Sequence, residues 1–177
     1  MEDISIPKVQ VNDVTLTQFM LSPTNNTLYY NLSVNTTFQN PSSQVGIHFD
    51  KIVANLMYHG QRLGTKAMHD VYYLNHKEQK TNVNVALRGE HVLQLINGDE
   101  KLVYELETKN GVYNIGLNVR LAMRLRAIWL DDFDETCQFM CDNLQVPLNP
   151  EGKVSSAKFG STKCSYKELK DKSFWED

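Results

Sequence analysis

The stretch Tyr113-Asn-Ile-Gly-Leu-Asn-Val-Arg-Leu-Ala-Met-Arg-Leu-Arg-Ala-Ile-Trp129 decides the fold. Tyr113, Ile115, Leu117, Val119, Leu121, Met123, Leu125, Ala127 and Trp129 fill every odd position. Asn114, Gly116, Asn118, Arg120, Arg124 and Arg126 fill most even ones, with Ala122 and Ile128 the exceptions. A period of two marks a strand with one buried face, and no helix produces it. The run is longer than most strands, so it implies a bend or two paired neighbours. Asn110-Gly111 just ahead of it carries hairpin-turn chemistry.

Working outward, the same alternation recurs. Leu28, Tyr30, Leu32, Val34 and Phe38 alternate with Tyr29, Asn31, Ser33, Asn35 and Thr37, and Asn40-Pro41 ends that run because proline has no ladder donor. Val14, Leu16 and Met20 mark an early strand following Pro7–Val11. Ile47 to Tyr58 reads as a strand with a bulge near Asp50-Lys51, where the alternation slips. Val83, Val85 and Leu87 give a strand closed by Gly89. Leu144, Val146 and Leu148 give another, interrupted by Pro147 and Pro150, and Ala157 to Tyr166 a last one. The stretch from Glu90 to Leu106, with Val92, Leu93, Leu95 and Ile96 clustered, is the one open to a short helix. Seven or more strands at roughly regular spacing predict an all-β chain folded as an antiparallel β-sandwich.

A chain of 177 residues fits one domain with a substantial core. Residues 1–6 read as a flexible lead, 7–166 as the domain, and 167–177 as a charged, mobile tail. Apolar content of 41% and charged content of 22% are those of an ordinary globular protein. A net charge of −3 gives no electrostatic case for nucleic acid. No apolar run approaches the ~20 residues that cross a bilayer. Glu2 and Asp3 stand where a signal peptide carries positive charge. A targeting segment, if the protein is secreted or tethered, is therefore expected outside this chain.

Three Asn-x-Ser/Thr tripeptides begin at Asn25, Asn31 and Asn35. Roughly two are expected by chance in a chain this rich in Asn, Ser and Thr, so placement matters more than number. Asn31 and Asn35 both fall on the polar face of their strand, as a bulky sugar requires. Cys137, Cys141 and Cys164 all lie in the last quarter. Along a strand, Cys137 and Cys141 would stand roughly 13 Å apart, too far to be bridged. Either can pair with Cys164, leaving one odd thiol, or all three can stay reduced in a cytosolic protein.

Taken in order, several segments resemble the plant nonspecific-disease-resistance/harpin-induced-like family. That family shares the late-embryogenesis-abundant group 2, or water-stress-and-hypersensitive-response, domain. The segments are Leu28-Tyr-Tyr-Asn-Leu-Ser-Val-Asn, Asn40-Pro41-Ser42, Ile47-His-Phe-Asp50, Tyr58-His-Gly60 and Leu63-Gly64. They continue through Tyr72-Tyr73 to His76-Lys77, Leu87-Arg-Gly89 and Cys141-Asp-Asn-Leu-Gln-Val146. The family usually has a second asparagine at Ser42 and Phe-Tyr-Gln at Val71-Tyr72-Tyr73, which makes this a divergent member. The resemblance implies a fibronectin-type-III-like sandwich without catalytic activity, serving pathogen and abiotic-stress responses. It implies a short cytoplasmic segment and one membrane span ahead of the domain, and so a plasma-membrane protein facing the apoplast. It also implies a Cys141–Cys164 disulfide and leaves Cys137 outside the pattern.

Two surface features are candidates for contact. Asn97-Gly98-Asp99 resembles the integrin-ligand type of tripeptide, which a family member is thought to use in membrane–wall adhesion. A plain turn needs the same residues. Arg120, Arg124 and Arg126 share a strand face, with Arg88 expected nearby, and would meet an acidic polysaccharide or lipid headgroup. A solvated ladder paired across to Glu105 or Glu107 is the plainer alternative. His48, His59, His69, His76 and His91 show no metal-ligand spacing, and there is no CxxC, G-x-S-x-G elbow or phosphate loop. The expectation is therefore a binding domain with no cofactor and no metal. Its partner would be a membrane-anchored or wall-associated protein, with polysaccharide or lipid the further options and nucleic acid excluded. An intracellular domain that protects on drying or contacts lipid is the alternative.

Overall fold

A computed structural model describes residues 6–74, 79–127, 130–150 and 159–169. Residues 1–5 of the lead, His76 and Lys77, Ile128 and Trp129, Ala157, and 170–177 of the tail lie outside the described residues. In chain order the strands are β1 (Lys8–Leu21), β2 (Thr27–Gln39), β3 (Val45–Tyr58), β4 (Gln61–Leu74) and β5 (Lys80–Val92). Helix α1 (Glu100–Asn110) follows, then β6 (Val112–Ala127), β7 (Leu130–Pro147), β8 (Thr162–Lys163) and β9 (Ser165–Lys167). They form two antiparallel sheets, ordered β5-β2-β1-β8 and β4-β3-β6-β7-β9, so the chain is an all-β sandwich with one short helix.

Up to Ala127 the deciding stretch is a single strand. β6 pairs with β3 on one side and β7 on the other, which supports its length without a break. Tyr113, Ile115, Leu117, Val119, Leu121, Met123 and Leu125 are all buried. They meet the inward residues of β1 and β2 in one core. Phe19 lies 4.7 Å from Tyr113 and 5.0 Å edge-on from Tyr58, and Phe38 meets Phe49 at 5.5 Å. Each such side chain taken from water contributes roughly 1.5–3 kcal/mol.

Bulges explain where the sequence pattern slips. In β3 the register shifts between Phe49 and Lys51, as expected, and the buried set changes from Ile47 and Phe49 to Ile52, Ala54 and Leu56. β1 shifts twice, between Val11 and Asp13 and between Leu16 and Gln18. The second shift turns Phe19 and Leu21 inward and leaves Met20 half exposed, so Met20 is not the core residue its spacing predicts. In β7 the irregularity opposite Gly116 includes Asn143 at φ 57°. Cys137, Phe139 and Cys141 are buried before it, Leu144 and Val146 after it. The expected short strand at Leu144 is the end of this long one.

Other expectations are corrected. Gly89 does not end β5. It sits beside the Tyr30 hydroxyl, where a Cβ would approach to 2.9 Å, and the strand continues to Val92. Asn110-Gly111 is a helix end, with Gly111 at φ 73° and its N–H bonded to Thr108 O at 3.2 Å. The helix begins only at Glu100, because Val92 and Leu93 complete the strand and its approach to the core. The final strand is two short pieces. Cys164 stands between β8, which joins β1, and β9, which joins β7, so the chain crosses from one sheet to the other there. The stretch expected to be a tail starts on the fold: Lys167 pairs with Gln138 and Leu169 is buried.

Asn40 organises the Asn40-Pro41-Ser42 turn from within. It is fully buried, donates to Val45 O at 2.7 Å and Leu74 O at 3.3 Å, and accepts from the Ser42 N–H at 3.0 Å.

Candidate binding site

The connection between β5 and β6 carries the most exposed candidate. Residues Gln94 to Asp99 are all exposed, and Gly98 takes φ 84°, so Asn97-Gly98-Asp99 is a turn as its residues allow. Asp99 holds the N-cap position without a side-chain cap bond. Glu100, in the first turn of the helix, reaches back to the loop instead. It is 2% exposed, and its Oε1 accepts the Asn97 N–H at 2.7 Å. That bond, helped by the backbone around Ile96, Gly98 and Glu100 itself, holds the carboxyl below the usual range against its burial.

Helix α1 is mounted with its polar and aromatic side inward. The Tyr104 hydroxyl accepts from Leu21 N–H at 3.0 Å and donates to Phe19 O at 3.2 Å, and its ring stacks on Tyr113 at 5.8 Å. The Tyr58 hydroxyl donates to Glu107 Oε1, while Glu107 Oε2 accepts Asn114 N–H at 2.6 Å. Burial, then the Glu107 bond, pushes the Tyr58 hydroxyl far above its ordinary value, so it remains a donor. Thr108 Oγ1 lies 2.9 Å from the Tyr113 hydroxyl. Tyr104, Glu107 and Thr108 thus anchor one face by the three- and four-residue spacing of a helix. The opposite side exposes Leu102 and Leu106, one turn apart, and Leu95 and Ile96 in the preceding loop are exposed as well.

The arginine ladder is engaged within its own sheet. Arg124 Nε donates to both Asp50 oxygens, at 2.9 and 3.1 Å, and Asp50 Oδ1 lies 2.9 Å from His48 Nδ1. His48 stands opposite Arg124, and Asp50, two residues on, shares its outward face. Arg126 pairs with Asp132 at 3.1 Å, and Arg120 Nε donates to Asn118 Oδ1 at 3.2 Å. The carboxylates are therefore Asp50 and Asp132, not Glu105 and Glu107 on the helix. Arg88 is on β5 of the other sheet and does not extend the ladder.

The structure joins Cys141 to Cys164, with Cα atoms 4.4 Å apart, and leaves Cys137 as a buried thiol. Burial, with Glu135 adding to it, pushes that thiol up to about 12. Asn25 is exposed in the β1–β2 turn, where its Oδ1 accepts the Thr27 N–H at 3.1 Å. Asn31 and Asn35 are half-buried on the outer face of β2. Asn35 is held between Asn12 and Asn84, each at 2.8 Å. Among the described residues no group of His, Cys, Asp or Glu could hold a metal.

The family model described as late embryogenesis abundant protein matches residues 35–133, more than half of the chain. The chain belongs to the late embryogenesis abundant family. Three Arabidopsis thaliana proteins illustrate the likeness. NDR1/HIN1-like protein 3 is 34% identical over 157 residues, covering 89% of this chain and 66% of the relative. NDR1/HIN1-like protein 2 is 28% identical over 90% of this chain and 65% of its own length. NDR1/HIN1-like protein 10 is 28% identical over 90% and 69%. The chain spans about two thirds of the length of these relatives. Membership suggests a plant stress or defence protein of a family that is not generally enzymatic.

Within the late embryogenesis abundant match lie the buried Asn40 turn and the whole of α1. The tripeptide 97–99 was legible in the sequence, but Glu100 beneath it and the outward leucines were not. Leu102 and Leu106 at a four-residue spacing, with Tyr104 and Thr108 at the same spacing two residues on, are the signal that separates the two faces.

Proposed function

We propose that this chain is a non-enzymatic binding domain that recognises a protein partner through the 94–106 segment. The observation carrying the reading is the mounting of α1. Its hydrogen-bonding side is used up on the sandwich, and Leu102, Leu106, Leu95 and Ile96 are left in water beside the exposed turn. Exposed clustered aliphatic side chains next to polar loop groups have the composition of an interface core with its rim. A membrane-anchored or wall-associated protein is the partner class, with the domain on the apoplastic side of the plasma membrane and anchored through a segment outside this chain. The family, the disulfide and the outward sequons support that placement. The role is in pathogen and stress response, as membrane–wall adhesion or assembly of a receptor complex.

The test uses the full-length protein in plant cells. Asp99→Ala and, separately, Leu102→Ser with Leu106→Ser are scored for membrane–wall attachment on plasmolysis and for co-purifying proteins. Loss of attachment and of the same co-purifying protein in both variants, with unchanged melting temperature, is expected. Unaltered attachment and partners in both would overturn the reading.

A further inference from the structure

A second site lies at the opposite end of the sandwich, in a cleft of about 830 Å³ where β1 and β5 begin and β2 ends. Two rows of residues cross the outer face there. Lys80, Gln39 and Lys8 stand opposite one another on three neighbouring strands. Asn82, Thr37, Gln10 and Lys163 form the next row across four. With strands about 4.8 Å apart, Lys8 and Lys80 flank Gln39 at roughly 10 Å from each other. Among the described residues no carboxylate lines the cleft or pairs with Lys8, Lys80 or Lys163. In a protein of net charge −3 this is a local concentration of positive charge that no described carboxylate pairs with.

We propose that this cleft binds an anionic oligosaccharide, a chain of sugars bearing carboxylates. Three features select that class. Amide and hydroxyl groups of Gln10, Thr37, Gln39 and Asn82 lie between the ammonium groups, and they match sugar hydroxyls. The Tyr166 ring, half exposed at the rim beside buried Phe139, offers a flat face to a sugar ring. The volume suits a few sugar units. A lipid surface fits poorly, because the exposed aliphatic residues are at the other end. β2 pairs Gln39 with Lys80 but Thr27 with Val92, twelve residues away and about 40 Å along the strand.

The disulfide builds one wall. Lys163 and Tyr166 flank Cys164, on strands of two and three residues that Cys141 ties to β7. The site is separate from the 94–106 segment and stands or falls without it.

The test is titration of the oxidised chain with a fluorescent oligogalacturonate of about four sugars, a size suited to a cleft of this volume. Neutral maltotetraose, inorganic phosphate and phosphatidylserine vesicles are run as competitors. Saturable binding that weakens with salt and yields to none of the three is expected. Lys8→Gln with Lys80→Gln and Lys163→Gln should weaken it at least tenfold, and the single charge reversal Lys80→Glu should also weaken it. Arg88→Gln, an exposed cation outside the cleft, should leave it unchanged. No binding overturns the proposal, as does equal weakening by Arg88→Gln, and so does displacement by the vesicles or by phosphate.

Discussion

The buried carboxylate of Glu100 accepts the backbone N–H of Asn97 at 2.7 Å, so the exposed 97–99 turn hangs from a side chain that is itself out of water. The turn therefore has a shape before any partner arrives, and preorganisation of this kind lowers the ordering cost of binding.

That relationship has a pH dependence of known sign. The folded Glu100 carboxyl titrates below its ordinary value of 4.5, chiefly because of the Asn97 N–H. A depressed folded value adds stability that is complete above the unfolded value and is lost as the pH falls through the folded one. Glu100→Gln should lower the melting temperature above about pH 5.5. The gap to the parent should narrow as the pH drops below 4.5. A gap constant with pH would mean that the charged form is not what holds the turn.

The Tyr30 hydroxyl donates to Leu63 O at 3.1 Å and joins β2 to β4 across the edge of the sandwich. Gly64 leaves room for it, since a Cβ there would approach the hydroxyl to 2.1 Å. Gly64→Ala must move a buried ring or the strand, and the cost is on the order of 1–3 kcal/mol. Chemical denaturation of Gly64→Ala, Tyr30→Phe and the double variant checks this. The double variant should recover part of the loss, because removing the oxygen relieves the contact.

The sandwich was legible because the period of two survives in β6 and β2, where the extra residues fall in the partner strands β1, β3 and β7. It failed where one extra residue changes which parity faces inward, as at Met20 in β1 and Asn143 in β7. Nothing in a local pattern announces a bulge unless both parities are read through it, as Ile47–Tyr58 allowed. Gly89 and Gly111 were misread for a related reason. A glycine signals a need for close approach or positive φ, and only the neighbours say which. At the candidate site, the turn chemistry of 97–99 was plain, but Glu100 looked like any acidic residue at a helix start. Its burial depends on the loop folding over it. The lysine cleft was invisible because Lys8, Lys80 and Lys163 are dispersed in sequence and only strand pairing makes them neighbours.

The cysteines give a prediction with two readouts. Denatured, unreduced protein should yield one labelled thiol, Cys137, and native protein at neutral pH essentially none, because burial pushes that thiol up to about 12. Cys164→Ser frees a loop of sequence separation 23, worth about 3 kcal/mol by loop-closure entropy. Melting of Cys164→Ser against Cys137→Ser should show the first as the one that loses the β8–β9 edge. Hydrogen exchange at Cys164 N–H, bonded to Val9 O at 2.9 Å, locates the loss.

The three sequons differ in what the fold asks of them. Asn25 is exposed, and its side chain supports only its own turn. Asn35 bridges Asn12 and Asn84, and so links all three long strands of its sheet. In protein made without glycans, Asn35→Gln should therefore lose about 1 kcal/mol, the scale of one or two partly exposed hydrogen bonds. Asn25→Gln should lose less. Protein recovered from plant cells should drop in mass on glycosidase treatment, with the sugar mapped to Asn25, Asn31 or Asn35. The outward face of β2 has room for sugar at Asn31 without breaking a side-chain bond, whereas a sugar on Asn35 sits across the asparagine ladder. Occupancy at Asn31 with an intact ladder is the expected outcome. Bare asparagines together with a reduced Cys141 would move the domain to the cell interior, and the wall-side partner would go with it.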